Sequence, residues 1–222
     1  MTPTTDPEVL ADAAAEVVDC MRVLGKSGSN LVLEALAGAE FVELTHYPPG
    51  DIHDPETHSQ AYFHAHPPSL ARDRDFGHFH CFLRGPALPA EACPLPLPGN
   101  PADRPAEAVT AHIVAISMDR FGRPTALFTT NRWVTDETLY SAETLIAALP
   151  RFALDLAHPS WPLNRWLTAM VTLYSAEIAI LLRARDAVLE SIDLEDRNVE
   201  VLSHHRIDLD AKLVEVRRLV GL

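Results

Sequence analysis

The middle of this 222-residue chain alternates apolar and polar residues, whereas both ends repeat apolar residues every three or four positions. Alternation is typical of β-strands and the longer spacing of helices. The sequence therefore predicts an α+β fold, an antiparallel β-sheet flanked by N-terminal and C-terminal helices. We expect a single domain over residues 1–222: a helical part (1–39), a β-rich histidine-containing core (40–135) and a mainly helical part with a late strand (136–222).

The ends of the predicted helices carry capping residues. Asp6 is a candidate N-cap for a first helix that begins at Pro7 and ends near Gly25. A second, short helix begins after Asn30 and ends at Gly38. The C-terminal part adds a helix capped by Thr135 and stopped by Pro150, a longer helix over 160–189, a strand over 198–209 and a terminal helix capped by Asp210.

Five strands are predicted in the middle of the chain, each next to turn residues. They cover residues 41–47, 61–66, 78–84, 109–118 and 125–134. The fourth and fifth form a hairpin, because residues 119–124 supply turn chemistry. Residues 85–108 hold seven of the eighteen prolines and cannot join a sheet interior, so they predict a long loop or lid.

Histidine is the unusual component of the composition. Seven of the eleven histidines lie between His46 and His80, and two His-x-His pairs stand close together in this region. Side chains two residues apart in a strand point to the same face, so each pair presents two imidazoles side by side. Residues 67–77 between the pairs are rich in proline and charge, which predicts a returning loop. If the two strands pair antiparallel in a suitable register, four imidazoles converge.

A metal ion is the simplest explanation for such an array, because it satisfies one nitrogen of each ring. His112 offers a further nitrogen from an apolar strand, and His46 is a sixth candidate. The alternatives are structural, haem-related or pH-responsive histidines. Cys81 is expected to point to the opposite sheet face. The predicted metal ligands are His64, His66, His78, His80 and His112.

Imidazole ligands suit iron, copper, zinc and nickel, and argue against magnesium and calcium. The absence of cysteine ligands favours an open or redox-active site over a closed structural zinc site. We therefore expect iron or copper as cofactor, with zinc as the alternative. Asp51, Glu56 and Asp75 lie near the histidines in sequence and are candidate hydrogen-bond acceptors for their second nitrogens, or simply solvated turn residues.

Two further residues are candidates for the chemistry. Tyr62 shares the predicted face of the first histidine pair, and Arg132 belongs to one of two Asn-Arg-Trp tripeptides. We expect both to contact substrate, and Arg165 of the second tripeptide is a further candidate for an anionic ligand. The alternative is that Tyr62 packs, that the tryptophans are core anchors and that the arginines pair with surface acids.

Charge and the terminal sequence narrow the function classes. The net charge is −13 with histidine neutral, which disfavours nucleic acid as a partner. The chain has no apolar run long enough for a bilayer span and no signal-peptide pattern at its start, so we expect a cytoplasmic protein that does not bind membranes. A small-molecule substrate is the expected partner, and a homo-oligomer is compatible with the sequence. Phosphate loops, dinucleotide fingerprints, serine-hydrolase elbows and His-Glu-x-x-His helices are absent.

Several blocks of the sequence resemble one uncharacterised family of bacterial proteins, a domain of unknown function. They are residues 46–51 (HYPPGD), 54–57, 64–66 (HAH), 77–80 (GHFH), 115–119, 127–135 and 159–168. The resemblance covers most of the chain from His46 onwards and implies no activity. A weaker likeness to cupins rests on the His-x-His strand, but a second such pair replaces the glutamate and later histidine of the cupin motif.

These observations predict a histidine-ligated, metal-dependent enzyme, an iron or copper oxidoreductase acting on a small molecule. Two alternatives stay open: a zinc-dependent hydrolase or lyase, and a non-catalytic metal- or haem-binding protein.

Overall fold

The computed structural model describes residues 6–66 and 76–221. Helices precede and follow a central sheet, and the longest N-terminal helix begins where Asp6 accepts a hydrogen bond from the backbone N–H of Glu8 at 3.0 Å. Within the described ranges the helices are α1 (Pro7–Lys26), α2 (Leu31–Leu36), α3 (Arg132–Thr135), α4 (Ala142–Ala148), α5 (Trp161–Leu173), α6 (Ser175–Leu189) and α7 (Leu209–Leu219).

The strands of the described residues form one six-stranded antiparallel sheet in chain order, β1 to β6. They are β1 (Tyr47–His53), β2 (Ser59–His64), β3 (Gly77–Arg84), β4 (Thr110–Met118), β5 (Pro124–Thr130) and β6 (Val201–Arg206). The predicted α+β class, with helices on both the N-terminal and C-terminal sides of an antiparallel sheet, is confirmed. The expectation of a single domain stays a prediction.

The two faces of the sheet carry different sets of side chains. One face packs against the helices: the ring of Phe79 on β3 lies 5.1 Å from Phe63 on β2 and 6.0 Å from Trp166 on α5, between centroids. All three side chains are fully buried. Because neighbouring residues of a strand point to opposite faces, His78 and His80 lie on the face away from these helices. The face of the sheet that packs against these helices is thus not the face that carries the histidines.

The first predicted strand, 41–47, is wrong, because β1 begins only at Tyr47. The preceding apolar side chains, Val42 and Leu44 among them, are exposed, and Leu44 has a positive φ of 62°, outside the β region of backbone conformations. The Tyr47 hydroxyl donates to the Glu40 carbonyl and accepts from the Val42 N–H, both at 2.6 Å. These bonds fold the segment around the tyrosine as a loop.

The fifth predicted strand ends early, at Thr130 rather than at residue 134. Asn131 caps α3 by accepting a hydrogen bond from the backbone N–H of Arg132 at 2.8 Å. Thr135 closes this short helix and does not cap the next one. Instead Ser141 caps α4, accepting from the backbone N–H of Thr144 at 3.2 Å.

The long helix predicted over 160–189 is two helices, α5 and α6, which meet at Tyr174 with a bend of 70°. α5 packs on α1, whereas α6 packs on α4, β5 and β6, so each helix follows a different surface. In the described ranges no single helix has the length and mean hydropathy needed to cross a membrane. This bent pair reaches those limits only when its two members are taken together.

The C-terminal elements are shorter than predicted. The strand expected over 198–209 covers only β6. The cap of α7 is Asp208, which accepts from the Ala211 N–H at 3.0 Å, rather than Asp210. The loop predicted over 67–77 lies mostly outside the described residues, while Gly77 belongs to β3.

The proline-rich stretch 85–108 is outside the sheet, as predicted. It contains two short 3₁₀ turns, Gly85–Ala87 and Ala106–Ala108, and a single bridge between Pro94 and Tyr140. That this stretch acts as a lid stays a prediction.

Candidate metal centre

The register of β2 against β3 brings the two histidine pairs together. His64 lies directly opposite His78, and Tyr62 lies opposite His80. Residues that face one another across antiparallel strands, and residues two apart on one strand, share a sheet face. The expected antiparallel pairing is therefore confirmed, but the strand predicted over 61–66 ends at His64, so His66 lies beyond it.

Three of the histidines form a compact group, which we call the histidine trio: His64, His78 and His80. One ring nitrogen from each lies within 4.8 Å of the others. The Nε2 atoms of His64 and His78 are 2.7 Å apart. The trio is 8%, 1% and 0% exposed, respectively. Three imidazoles this close and this shielded from water could hold a transition metal ion.

The two nitrogens of His80 have different surroundings. Its Nδ1 atom lies 3.0 Å from Nε2 of His112. Its Nε2 atom is buried and has no hydrogen-bond partner among the described residues. A buried polar atom left without a partner costs about 1–3 kcal/mol, which a bound ion at this nitrogen would offset. In the tautomer that donates Nδ1–H to His112, His80 keeps the Nε2 lone pair for a metal.

Burial holds His80 and His112 in the neutral form. Desolvation is the main cause that lowers the pKa of His112 to about 3, and the Arg185 guanidinium adds to it. Desolvation, followed by the neighbouring imidazoles of His78 and His112, also lowers the pKa of His80 well below its ordinary value. Neutral imidazole is the form that binds metals and accepts hydrogen bonds.

The buried carboxylate of Glu137 is hydrogen-bonded to the backbone of His112. Glu137, 1% exposed, accepts a hydrogen bond from the His112 backbone N–H at 3.0 Å and one from the Thr135 hydroxyl at 3.3 Å. Desolvation raises the pKa of Glu137 to about 7, against the opposing effect of Arg185. Sequence reasoning missed Glu137, because a lone glutamate in a loop between a short helix and the next carries no spacing signal.

The other two predicted ligands lie outside the trio. His112 contacts it through His80, as described above. His66 is at its edge: its side chain is 21% exposed, its ring lies 4.8 Å from that of His64, and its Nε2 is 3.7 Å from a carboxylate oxygen of Glu200. Direct ligation by His66 and His112 stays a prediction.

Tyr62 lies between the trio and the ring of His46. Its ring centroid is 5.0 Å from His80 and 5.7 Å from His64. On its other side the ring of His46 stacks parallel to it, at 3.7 Å and an interplanar angle of 9°. His46 Nδ1 is in turn 3.2 Å from a carboxylate oxygen of Asp51. Tyr62 therefore shares the face of the histidines, as expected.

Arg132 is engaged by two carboxylates, Asp136 at 3.0 Å and Glu195. The hydrogen bond with Glu195 is the main cause that raises the pKa of Arg132. Arg165 similarly pairs with Glu16 at 2.6 Å. Both arginines of the Asn-Arg-Trp tripeptides thus pair with acids, as in the alternative given above. Substrate contact by Arg132 stays a prediction.

The remaining sequence candidates occupy other places. Cys81 is buried on the helix side of the sheet, opposite the trio as predicted, and burial raises the pKa of its thiol. Asp51 accepts hydrogen bonds near His46, Glu56 is exposed, and Asp75 is outside the described residues. The histidines that are not members of the trio also include His53, His58, His158, His204 and His205.

An antiparallel sheet that carries a buried three-histidine group defines an α+β protein with a candidate metal centre. The chain belongs to the family described as Domain of unknown function (DUF6969), whose model matches residues 11–209. This match confirms the resemblance to an uncharacterised family. No curated protein and no solved structure matches the chain. The functional argument therefore depends on the geometry of the trio.

Proposed function

We propose that this protein binds one transition metal ion through His64, His78 and His80. The observation that carries the proposal is the buried Nε2 atom of His80, which has no hydrogen-bond partner in the described part of the chain and lies beside the nitrogens of the other two histidines. In this arrangement His112 is a positioning residue that accepts the Nδ1–H of His80 and fixes the ring. We assign His66 to the exposed edge of the centre.

We further propose that the bound ion is iron or copper and that the protein is an oxidoreductase acting on a small molecule. An all-imidazole donor set supports either metal. Three protein ligands leave positions for an exogenous molecule, and such an ion would supply one-electron chemistry there. Around the trio, Phe82 and Phe128 are 2% and 4% exposed and limit the access of water. Tyr62 holds a phenol beside His80.

Zinc is the second candidate, because three histidines with one open position also make a catalytic zinc site, where bound water has a pKa near 7. One observation weighs against this reading. Glu137, the buried carboxylate nearest to His112 in the described residues, is already bonded to a backbone N–H and is not a member of the trio. A hydrolase would therefore use the zinc-bound hydroxide itself or a general base other than Glu137.

Metal analysis with an optical spectrum tests the proposal on protein purified without a polyhistidine tag, after growth with iron, copper and zinc. We expect about one metal ion per chain in the unchanged protein and in His205→Ala, a matched control that removes an exposed histidine. His64→Ala and His80→Ala should lose the ion. Metal far below one per chain in all four proteins would overturn the proposal. A colourless protein with bound zinc would replace the redox assignment by the zinc candidate.

A further inference from the structure

An open groove of about 560 Å³ lies along the proline-rich stretch 85–108. This stretch supplies most of the described residues that line the groove, and Val109, Tyr140 and Arg151 supply the rest. No member of the histidine trio lines it. The volume lies within the range of ligand pockets. A molecule bound here would therefore occupy a site separate from the candidate metal centre.

The backbone of the stretch 85–108 is tied at both ends and in the middle. The Gly85 N–H donates to the Val109 carbonyl at 3.1 Å, so the two ends lie side by side. The Asn100 side chain donates to the Leu139 carbonyl at 3.0 Å and accepts from the Leu139 N–H at 2.9 Å. Four of the described residues that line the groove are prolines, whose fixed φ leaves little backbone freedom to lose on binding. The groove therefore has a pre-formed wall.

Arg151 is the unpaired positive charge of the groove. Its Nη1 atom donates to the Ala87 carbonyl at 2.8 Å, which holds the guanidinium in place, and in the described part of the chain it pairs with no carboxylate. Arg104 also lines the groove, but both carboxylate oxygens of Asp136 accept from it at 2.8 Å. No carboxylate side chain is among the described residues of the lining. One positive charge is thus left for an incoming ligand.

The remaining accessible lining is largely aliphatic. Pro86 is exposed and Pro89 and Pro94 are half-buried, so their rings present apolar surface to the groove. Tyr140 is 6% exposed, and burial is the main cause that raises its pKa, so its phenol stays neutral and adds no negative charge. A ligand with an aliphatic body and one negative charge matches this combination of groups.

We propose that this groove binds a small monocarboxylic acid with an aliphatic body, whose carboxylate pairs with Arg151. Because Nη1 of Arg151 is bonded to the Ala87 carbonyl, its Nε and Nη2 atoms remain for the two carboxylate oxygens. The chain already contains one pair of this geometry: Arg165 donates to the two carboxylate oxygens of Glu16 through Nε and Nη2, each at 2.6 Å.

A single negative charge follows from the electrostatics. A dianion such as a phosphate monoester would bring a second charge that no free guanidinium of the described lining offsets, into a chain whose net charge is −13. The site goes beyond the proposed metal binding and does not depend on it. It also differs from the anionic ligand expected at Arg132 and Arg165, whose guanidiniums pair with acids.

Probes that share one alkyl chain and differ in charge test the proposal on the full-length protein. They are hexanoate, hexanamide and hexyl phosphate, and ligand-observed NMR titrations at constant ionic strength measure their affinities. We expect hexanoate to bind about fivefold more tightly than hexanamide, as for an ion pair at a partly exposed site, and more tightly than hexyl phosphate. Hexanamide or hexyl phosphate binding as tightly as hexanoate, or no binding by any probe, would overturn the proposal.

A pair of arginine variants locates the carboxylate. Arg151→Met keeps an unbranched side chain and removes the charge, so the affinity for hexanoate should fall about fivefold, to that for hexanamide. Arg217→Met is the matched control, because Arg217 is exposed on α7 and does not line the groove; its affinity for hexanoate should not change. An unchanged affinity in Arg151→Met, or an equal loss in both variants, would contradict the proposal.

Protein stripped of metal with a chelator separates the groove from the candidate metal centre, because a carboxylate is also a ligand for metal ions. Hexanoate should bind the stripped protein as tightly as the protein before stripping. Loss of hexanoate binding on stripping would place the acid at the metal centre and overturn the proposal. Hexanoate binding in a protein that the metal analysis finds free of metal would support the groove and reject the proposed metal centre.

Discussion

Nδ1 of His80 lies 3.0 Å from Nε2 of His112, and this contact determines which nitrogen of His80 is available for a metal ion. An imidazole has one proton to donate when neutral, so a ring that donates through Nδ1 binds metal through Nε2. His112 therefore acts on the centre through another side chain. Its effect should differ in size from that of a ligand.

His112→Ala should lower metal affinity by about 10- to 100-fold, whereas His80→Ala should abolish stoichiometric binding. The reason is that the first change removes only the hydrogen bond that orients the ligand. Competition with a chromophoric chelator measures both affinities. His112→Gln, which restores an acceptor at this position, should recover part of the loss. Equal losses in His112→Ala and His80→Ala would make His112 a ligand.

Metal binding should stabilise the fold. An ion at 100 times its dissociation constant adds about 2.7 kcal/mol to the free energy of unfolding, which for a chain of this length raises Tm by about 5–10 °C. Calorimetry of metal-free protein with and without added ion checks this. His78→Ala should show no rise, and His205→Ala should behave like the unchanged protein. A similar rise in His78→Ala would locate the ion away from the trio.

Glu137 should make stability depend on pH in a defined direction. Its pKa is about 7 in the folded protein, above the ordinary value of 4.5, so the folded state holds a proton that the unfolded state releases between these values. Relative to Glu137→Gln, the protein should lose stability as pH rises from about 4.5 to 7, by up to ~3 kcal/mol. Burial raises this pKa against the Arg185 charge and the Thr135 hydroxyl, which favour ionisation.

Urea unfolding of the two metal-free proteins at several pH values measures this difference. The comparison is needed because the buried histidines act in the opposite direction: the lowered pKa of His112 reduces stability as pH falls below 6.5. Both proteins share that effect, so it cancels. A stability difference that stays constant between pH 4.5 and 7 would contradict the raised pKa of Glu137.

Gly77 should not tolerate a side chain. A Cβ atom there would clash with Cζ of Phe63 and lie 2.7 Å from the backbone oxygen of His64, so Gly77→Ala must displace the backbone of β2 against β3. We expect a loss of about 1–3 kcal/mol in the free energy of unfolding, together with weaker metal binding. Gly25→Ala is the control, because nothing lies within 4 Å of its added Cβ in α1. Unchanged metal affinity in Gly77→Ala would show that strand register does not position the trio.

The candidate metal centre could be predicted from the sequence because the histidines that form it are close together in sequence. The spacing of His78 and His80 specifies a shared face in any strand, and only the register with β2 had to be learned from the structure. The distinct places of His66 and His112 could not be predicted in this way. They depend on where a third strand and Glu200 lie, which no spacing encodes.

The wrong predictions of secondary structure have the same origin. Apolar residues over 41–46 alternate like a strand, but Tyr47 draws their backbone into a loop through its hydroxyl. The helical periodicity across Tyr174 is continuous, yet α5 and α6 follow different partners and bend apart. The first error comes from a hydroxyl bonded to backbone groups five and seven residues away, and the second from contacts distant in sequence; both outweigh the local periodicity.

All three members of the trio come from two neighbouring strands, β2 and β3, whose ligands span only residues 64–80. Neighbouring antiparallel strands pair on the microsecond timescale, long before contacts between distant parts of a chain are complete. The ligands can therefore be gathered during synthesis, while α5 and α6 are still to be made. An ion captured at that stage would hold the register of β2 and β3 and serve as a template for the rest of the sheet.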